Sequence, residues 1–212
     1  MSIAQFRNVL VLAPHTDDGE FGCGGTMARL SEAGVPVTYV AFSTATKSVP
    51  PEFPRDILAR EVREATAELG IAPERLIVHD FEVRTFPAQR QEILELLIEL
   101  GVQLKPDVVL LPSLDDVHQD HKTIAEEGLR AFKRTTVLGY EIPWNNLRFA
   151  NQAYVTLAPQ HLDAKVRALA KYRSQQHRNY ASEEYIRNLA RTRGINIGCD
   201  FAEAFELYRW IV

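Results

Sequence analysis

Residues 8–20 read NVLVLAPHTDDGE, and the change of character inside this stretch decides the fold. Asn8 to Ala13 is a continuous apolar run of Val, Leu and Ala closed by Pro14, the pattern of a short strand buried on both faces. Directly after it, His15, Asp17, Asp18 and Glu20 crowd into six residues. A doubly buried strand that delivers polar residues at its C-terminal end is the unit of a parallel α/β sheet, where ligands bind outside the carboxyl ends of the strands.

Working outward, Gly25 to Ala33 has helical composition and stops at Gly34 and Pro36, and Val37 to Phe42 is a second strand. Arg55 to Leu69 places Ile57, Leu58, Val62, Ala65 and Leu69 at helical spacing before Gly70, and Arg75 to Val78 is a third strand. Gln89 to Leu100 is a helix ending at Gly101, followed by a strand at Asp107 to Leu111, a helix at Thr123 to Phe132 and a strand at Thr136 to Tyr140. This alternation predicts an α/β protein with a single Rossmann-like, doubly wound domain and a mostly parallel sheet. Beyond Pro143 the alternation loosens into additions to the same domain. These are a strand at Ala153 to Leu157, a helix at Gln160 to Gln175, and a helix from an N-cap at Ser182 to Arg193, stopped by Gly194. Phe201 to Val212 is ambiguous, with Tyr208 to Val212 aromatic and branched enough for a strand. The 212 residues suit one domain, with 1–142 as its core and 143–212 as its additions.

A hydrophobic content of 46% lets a chain of this length build its core without staples. The net charge of −4 supplies no basic footprint for nucleic acid. No window approaches the roughly 20 apolar residues of a membrane span, and no cleavable leader is evident at Met1 to Leu12, so a cytoplasmic protein is expected. Cys23 and Cys199 form no Cys-x-x-Cys pair, which argues against a disulfide framework or a thiolate metal cluster. A homo-oligomer is compatible with these features and none of them specifies it.

The second polar cluster, Asp115-Asp116-Val117-His118-Gln119-Asp120-His121, follows the fourth strand. In a sheet of order 3-2-1-4-5 the first and fourth strands are neighbours at the switch crevice, so the two distant clusters face each other. His15, Asp18 and His121 then supply the three nitrogen and oxygen ligands of a catalytic Zn²⁺ with one position left for water. Asp17 is the carboxylate left over to act as base, and His118 is placed to stabilise an oxyanion or, as imidazolium, to protonate a leaving amine. Asp120 or Asp116 orients a ring N–H from behind. Gly22, Gly24 and Gly25 do not make a dinucleotide fingerprint, because position 27 is Met27; tight helix packing explains them better.

Pro14-His15-Thr16-Asp17-Asp18-Gly19-Glu20 and His118-Gln119-Asp120-His121 resemble the two motifs of the PIG-L/LmbE-like family of zinc-dependent N-acetylglucosaminyl deacetylases, Pro-His-Pro-Asp-Asp-Glu and His-Pro-Asp-His. Lys165, Tyr172-Arg173-Ser174-Gln175 and Ala202-Glu203-Ala204-Phe205 are similar to the family's closing region. The resemblance implies that His15, Asp18 and His121 bind zinc, that Asp17 is the general base, and that His118 with Asp120 forms the polarising acid pair. The implied reaction is hydrolysis of a carbon–nitrogen bond other than a peptide bond, removing an N-acetyl group from an amino sugar or a nucleotide- or lipid-linked conjugate. Thr16 and Gln119 replace prolines, and the inserted Gly19 shifts Glu20 and leaves its role open. Family members hold the sugar with a helix-borne arginine, for which Arg60 and Arg63 are both candidates, although a solvated helix face with Glu61 and Glu64 accounts for either equally well. Arg84 and His79-Asp80 lie on the same rim. Two rival readings remain: magnesium-dependent phosphoryl transfer, disfavoured by two histidines where magnesium prefers oxygen, and a non-catalytic sugar- or nucleotide-binding module in the same crevice.

Overall fold

The structure, a computed structural model, describes residues 5–211. Five parallel strands form the body of its sheet: β1 (Val9–His15), β2 (Val37–Ser43), β3 (Leu76–Val78), β4 (Val108–Pro112) and β5 (Thr136–Tyr140). Two antiparallel strands, β6 (Ala153–Leu157) and β7 (Phe201–Arg209), extend the β5 edge, so the order is β3-β2-β1-β4-β5-β7-β6. The doubly wound α/β arrangement expected from the alternation is the one observed.

The reason lies in β1. Val9, Val11 and Ala13 point into one apolar core while Leu10 and Leu12 point into the other, so both faces of the strand must be covered. Helices α1 (Asp18–Glu32), α2 (Ile57–Glu68), α5 (Pro159–Ala170) and α6 (Glu183–Asn196) contribute to the first core, and α3 (Arg90–Leu104) and α4 (Gln119–Ala131) to the second. Val9 pairs with Val37 of β2 on one side and with Val108 of β4 on the other. The chain therefore reverses its direction of winding between β1 and β4, and the connections leaving these two strands diverge to open a crevice.

Two helices start earlier than their composition suggests. α1 begins at Asp18, not Gly25, and carries its glycines inside the helix. A Cβ on Gly22 would stand 2.2 Å from Tyr140 Cδ2, and one on Gly25 would stand 2.5 Å from Leu157 Cδ1, so close packing overrides poor helix propensity. α4 begins at Gln119, four residues ahead of the expected Thr123, which makes His118 its N-cap. Gly101 and Gly194 do not end their helices: α3 runs to Leu104, where Lys105 turns left-handed (φ 46°) ahead of Pro106, and α6 runs to Asn196. α5 stops at Ala170, short of the expected Gln175. β7 starts at Phe201 and ends at Arg209, and Val212, the end of the expected strand, lies outside the described residues. Among the described residues no helix is long and apolar enough to cross a membrane, and Cys23 and Cys199 are both free thiols.

α1 breaks at Cys23 (φ −146°, ψ 27°), which creates a second helix start in mid-element. The Glu203 carboxylate of β7 accepts from the N–H groups exposed there, Gly25 at 3.0 Å and Thr26 at 2.7 Å. It also holds buried Lys165 Nζ at 2.7 Å, and Nζ in turn donates to Phe21 O. Glu203→Ala is expected to destabilise the protein by ~3–5 kcal/mol, because it leaves a buried ammonium without its counter-charge and two helix N–H groups without an acceptor. Urea denaturation measures the loss; a cost below ~1 kcal/mol would show that water substitutes for the carboxylate.

Candidate functional site

β1 ends on His15 and α1 starts on Asp18, so a single tight turn presents His15, Thr16, Asp17 and Asp18 at the crevice. Asp18 Oδ2 accepts from His15 N–H at 2.8 Å, which folds its carboxylate back over the turn. α4 brings His121 in from the neighbouring strand connection. Three atoms then converge: Asp18 Oδ2 lies 3.0 Å from His15 Nδ1 and 3.2 Å from His121 Nε2, and the two ring nitrogens are 3.2 Å apart.

Each ring is pinned from behind. His15 Nε2–H donates to Asp120 Oδ2 at 3.0 Å and His121 Nδ1–H donates to Asp116 Oδ2 at 2.7 Å, so that in the neutral form of each ring the inward nitrogen is the lone pair. Ligands of a tetrahedral zinc with bonds of ~2.0–2.1 Å stand about 3.3 Å apart, so the observed triangle fits one face of such a site. His15, His118 and His121 form a wider group that could hold a metal, with ring nitrogens within 4.8 Å of one another. The charge balance also calls for a cation. Burial disfavours a charged His121, yet Asp18 and Asp116 outweigh it and push the ring up to about 10; the same opposition raises His15, against burial, through Asp18 and Asp120.

Asp17 occupies the N-cap position of α1 without capping it: its carboxylate makes no hydrogen bond to the helix N–H groups and instead lines the crevice. Burial, then the adjacent Asp18 charge, raises it to about 6. His118 Nδ1 accepts from Asp120 N–H at 3.2 Å, so the neutral ring carries its proton on Nε2. Burial, then His121 and His15, pushes His118 down to about 4. The imidazolium considered from the sequence is therefore disfavoured at this ring. The Asp120 carboxylate does not pair with His118: it holds His15 and accepts from Arg84 N–H at 2.6 Å and Phe86 N–H at 3.2 Å. Of the two acids left open behind the histidines, Asp120 serves His15 and Asp116 serves His121.

Glu20 lies buried beneath the turn. It meets Tyr39 Oη in a short contact and accepts from Tyr172 Oη at 2.9 Å, and burial raises it to about 8. Both phenols also reach Thr16 O, at 2.9 and 2.6 Å, so this cluster supports the turn from below.

The crevice encloses ≈ 290 Å³, close to the lower end of the roughly 300–1,000 Å³ usual for small-ligand sites. Arg84 lines it, but Arg60 and Arg63 do not: both are exposed on α2, and Arg60 pairs with Asp56 one turn away at 2.6 Å. His79 packs its ring on Phe42 and Phe81, and Asp80 accepts from Thr44 Oγ1 at 3.0 Å; neither lines the crevice. The lining is completed by Gln175 of the Tyr172 to Gln175 segment and by residues that no motif marked, among them Trp144, Asn145, Arg178 and Tyr180. Trp144 and Tyr180 stack at 3.8 Å and 7°, and Phe21 meets both edge-on. Arg178 lies only three residues beyond the Tyr172 to Gln175 segment, in an irregular loop whose periodicity offers no signal.

Several known proteins resemble this chain. An uncharacterized deacetylase, YaiS, of Escherichia coli (strain K12) is 26% identical over 174 residues, covering 79% of this chain and 91% of the relative. A probable N-acetyl-alpha-D-glucosaminyl L-malate deacetylase 2 of Bacillus anthracis is 25% identical over 190 residues, covering 84% and 81%. Among solved structures, the conserved protein TT1542 from Thermus thermophilus superposes with a TM-score of 0.79 at 26% identity, covering 96% of this chain and 95% of that one. The family described as PIG-L: GlcNAc-PI de-N-acetylase matches residues 10–132, more than half of the chain and a span that holds both polar clusters, and the chain belongs to that family.

Proposed function

We propose that the protein is a zinc-dependent N-deacetylase of acetylated amino-sugar conjugates. The observation that carries this reading is the triangle of His15 Nδ1, Asp18 Oδ2 and His121 Nε2, with Asp17 left free beside it. The names of the relatives support the reaction class, and the nitrogen-rich ligand set supports zinc over magnesium. Zinc in this triangle would supply Lewis acidity toward the acyl oxygen and lower the pKa of an attacking water. Asp17 takes the proton of that water and passes it to the leaving nitrogen. His118 donates from Nε2–H to the acyl oxygen as charge develops there, a role a neutral ring performs. Asp120 and Asp116 keep the lone pairs of His15 and His121 aimed at the metal position. Phosphoryl transfer finds no support among the relatives.

Purified protein is expected to contain about one equivalent of zinc, and a chelator is expected to abolish acetate release from N-acetylglucosamine glycosides, with zinc restoring it. Metal analysis alongside an amine-release assay checks this. Zinc without acetate release would favour the binding module, and full activity in metal-free protein would overturn the reading.

A further inference from the structure

Arg84 and Arg178 both line the crevice. Neither is in an ion pair among the described residues, whereas Arg60, Arg90, Arg173, Arg187 and Arg193 each hold a carboxylate. Arg178 is half-buried and already oriented, with Nε–H donating to Gln175 Oε1 at 2.7 Å and one terminal nitrogen donating to Tyr180 Oη at 2.6 Å. Its other terminal nitrogen has no protein acceptor among the described residues.

Arg84 is held at φ 71°, a left-handed conformation that a long side chain adopts at a cost. Its N–H is fastened to Asp120 Oδ2, and one guanidinium nitrogen donates to Ser48 Oγ at 3.1 Å, another residue of the crevice wall. The backbone strain therefore coincides with a guanidinium directed to the crevice rim. Two oriented guanidinium groups outside any ion pair among the described residues, both lining one crevice that Asp17 and Asp18 line as well, match the planar recognition of carboxylate or phosphate oxygens.

We infer that Arg84 and Arg178 form an anion subsite, so that the preferred substrate is an acetylated amino sugar whose substituent carries a compact anion, a carboxylate or a phosphate. The inference rests on the deacetylase reading and adds the charge of the substituent. Three probes with the same sugar test it: methyl N-acetylglucosaminide, the carboxymethyl glycoside and N-acetylglucosamine 1-phosphate. In wild type, kcat/KM is expected to favour at least one anionic probe over the methyl glycoside by ~10- to 100-fold, with the gain mainly in KM. The two anionic arms separate carboxylate from phosphate recognition. In Arg84→Gly, where glycine accepts the left-handed backbone and keeps the N–H for Asp120, and in Arg178→Gln, the preference ratio is expected to fall toward unity. Added salt is expected to weaken the same ratio. Thermal melts of both variants establish that they are folded. Hydrolysis of all three probes at equal efficiency by wild type, or a ratio that survives both substitutions, overturns the subsite while leaving the deacetylase reading intact. Absence of hydrolysis with zinc-loaded protein overturns both.

Discussion

Asp17→Asn is expected to lower turnover of an acetylated amino sugar by about 10²- to 10⁴-fold while zinc content stays unchanged. The split follows from the turn after β1. Asp17 and Asp18 are consecutive, yet Asp18 Oδ2 is committed to His15 and His121, while the Asp17 carboxylate makes neither those contacts nor the cap its position invites. Asparagine keeps the volume and polarity of the side chain but cannot accept a proton, so the metal position survives and proton transfer does not.

The pH profile gives the assignment a second readout. Asp17 must be ionised to act as a base, and burial with the neighbouring Asp18 charge raises it to about 6. Activity should then rise with pH as the carboxylate forms, with an acid limb at or below about 6, since a bound cation would favour the ionised form. In Asp17→Asn that limb should disappear from the residual rate. Near-normal turnover with zinc bound, or an unchanged acid limb, would assign the base elsewhere.

How much of this was legible in the sequence depended on whether the determinant was local. The strands of the parallel core announce themselves because each must be apolar on both faces, and β1 and β4 each hand a polar cluster to the same rim. Strand order then brings His15 and His121 together although 106 residues separate them. The start of α1 was not legible, since Gly19, Gly22, Gly24 and Gly25 make a poor helix until Tyr39, Tyr140, Lys165 and Leu157 are packed against them. The start of α4 was hidden because His118 caps through a ring nitrogen, outside the usual Ser, Thr, Asp and Asn set. The pairing of Asp120 with His15 and of Asp116 with His121 depends on side-chain direction, which spacing leaves open. The far wall of the crevice belongs to irregular chain around Trp144 and Arg178, positioned by contacts between elements distant in sequence. Arg60 and Arg63 looked suitable only because helical spacing cannot tell a crevice-facing arginine from one on the solvent side.

His121→Ala tests the metal position most severely. Alanine removes one of the three proposed ligands and takes from Asp18 Oδ2 and Asp116 Oδ2 the ring that both lie against, although Asp18 keeps its contacts with His15. Zinc affinity should fall by more than the ~10–100-fold typical for loss of an outer partner, taking acetate release with it. Asp116→Asn supplies that milder comparison: it leaves His121 Nε2 in place and weakens only the hold on Nδ1, so affinity should drop within that range. In metal-free protein the order of stability offers a further check. His121→Ala strands two buried carboxylates without their ring, at a cost of ~3–5 kcal/mol, whereas Asp116→Asn removes one of those charges and should cost less. Competitive chelator titration of the two variants beside wild type measures the affinities. Wild-type zinc affinity in His121→Ala would place the metal outside the triangle, and equal losses in the two variants would mean that His121 acts by orienting its neighbours instead of touching the metal.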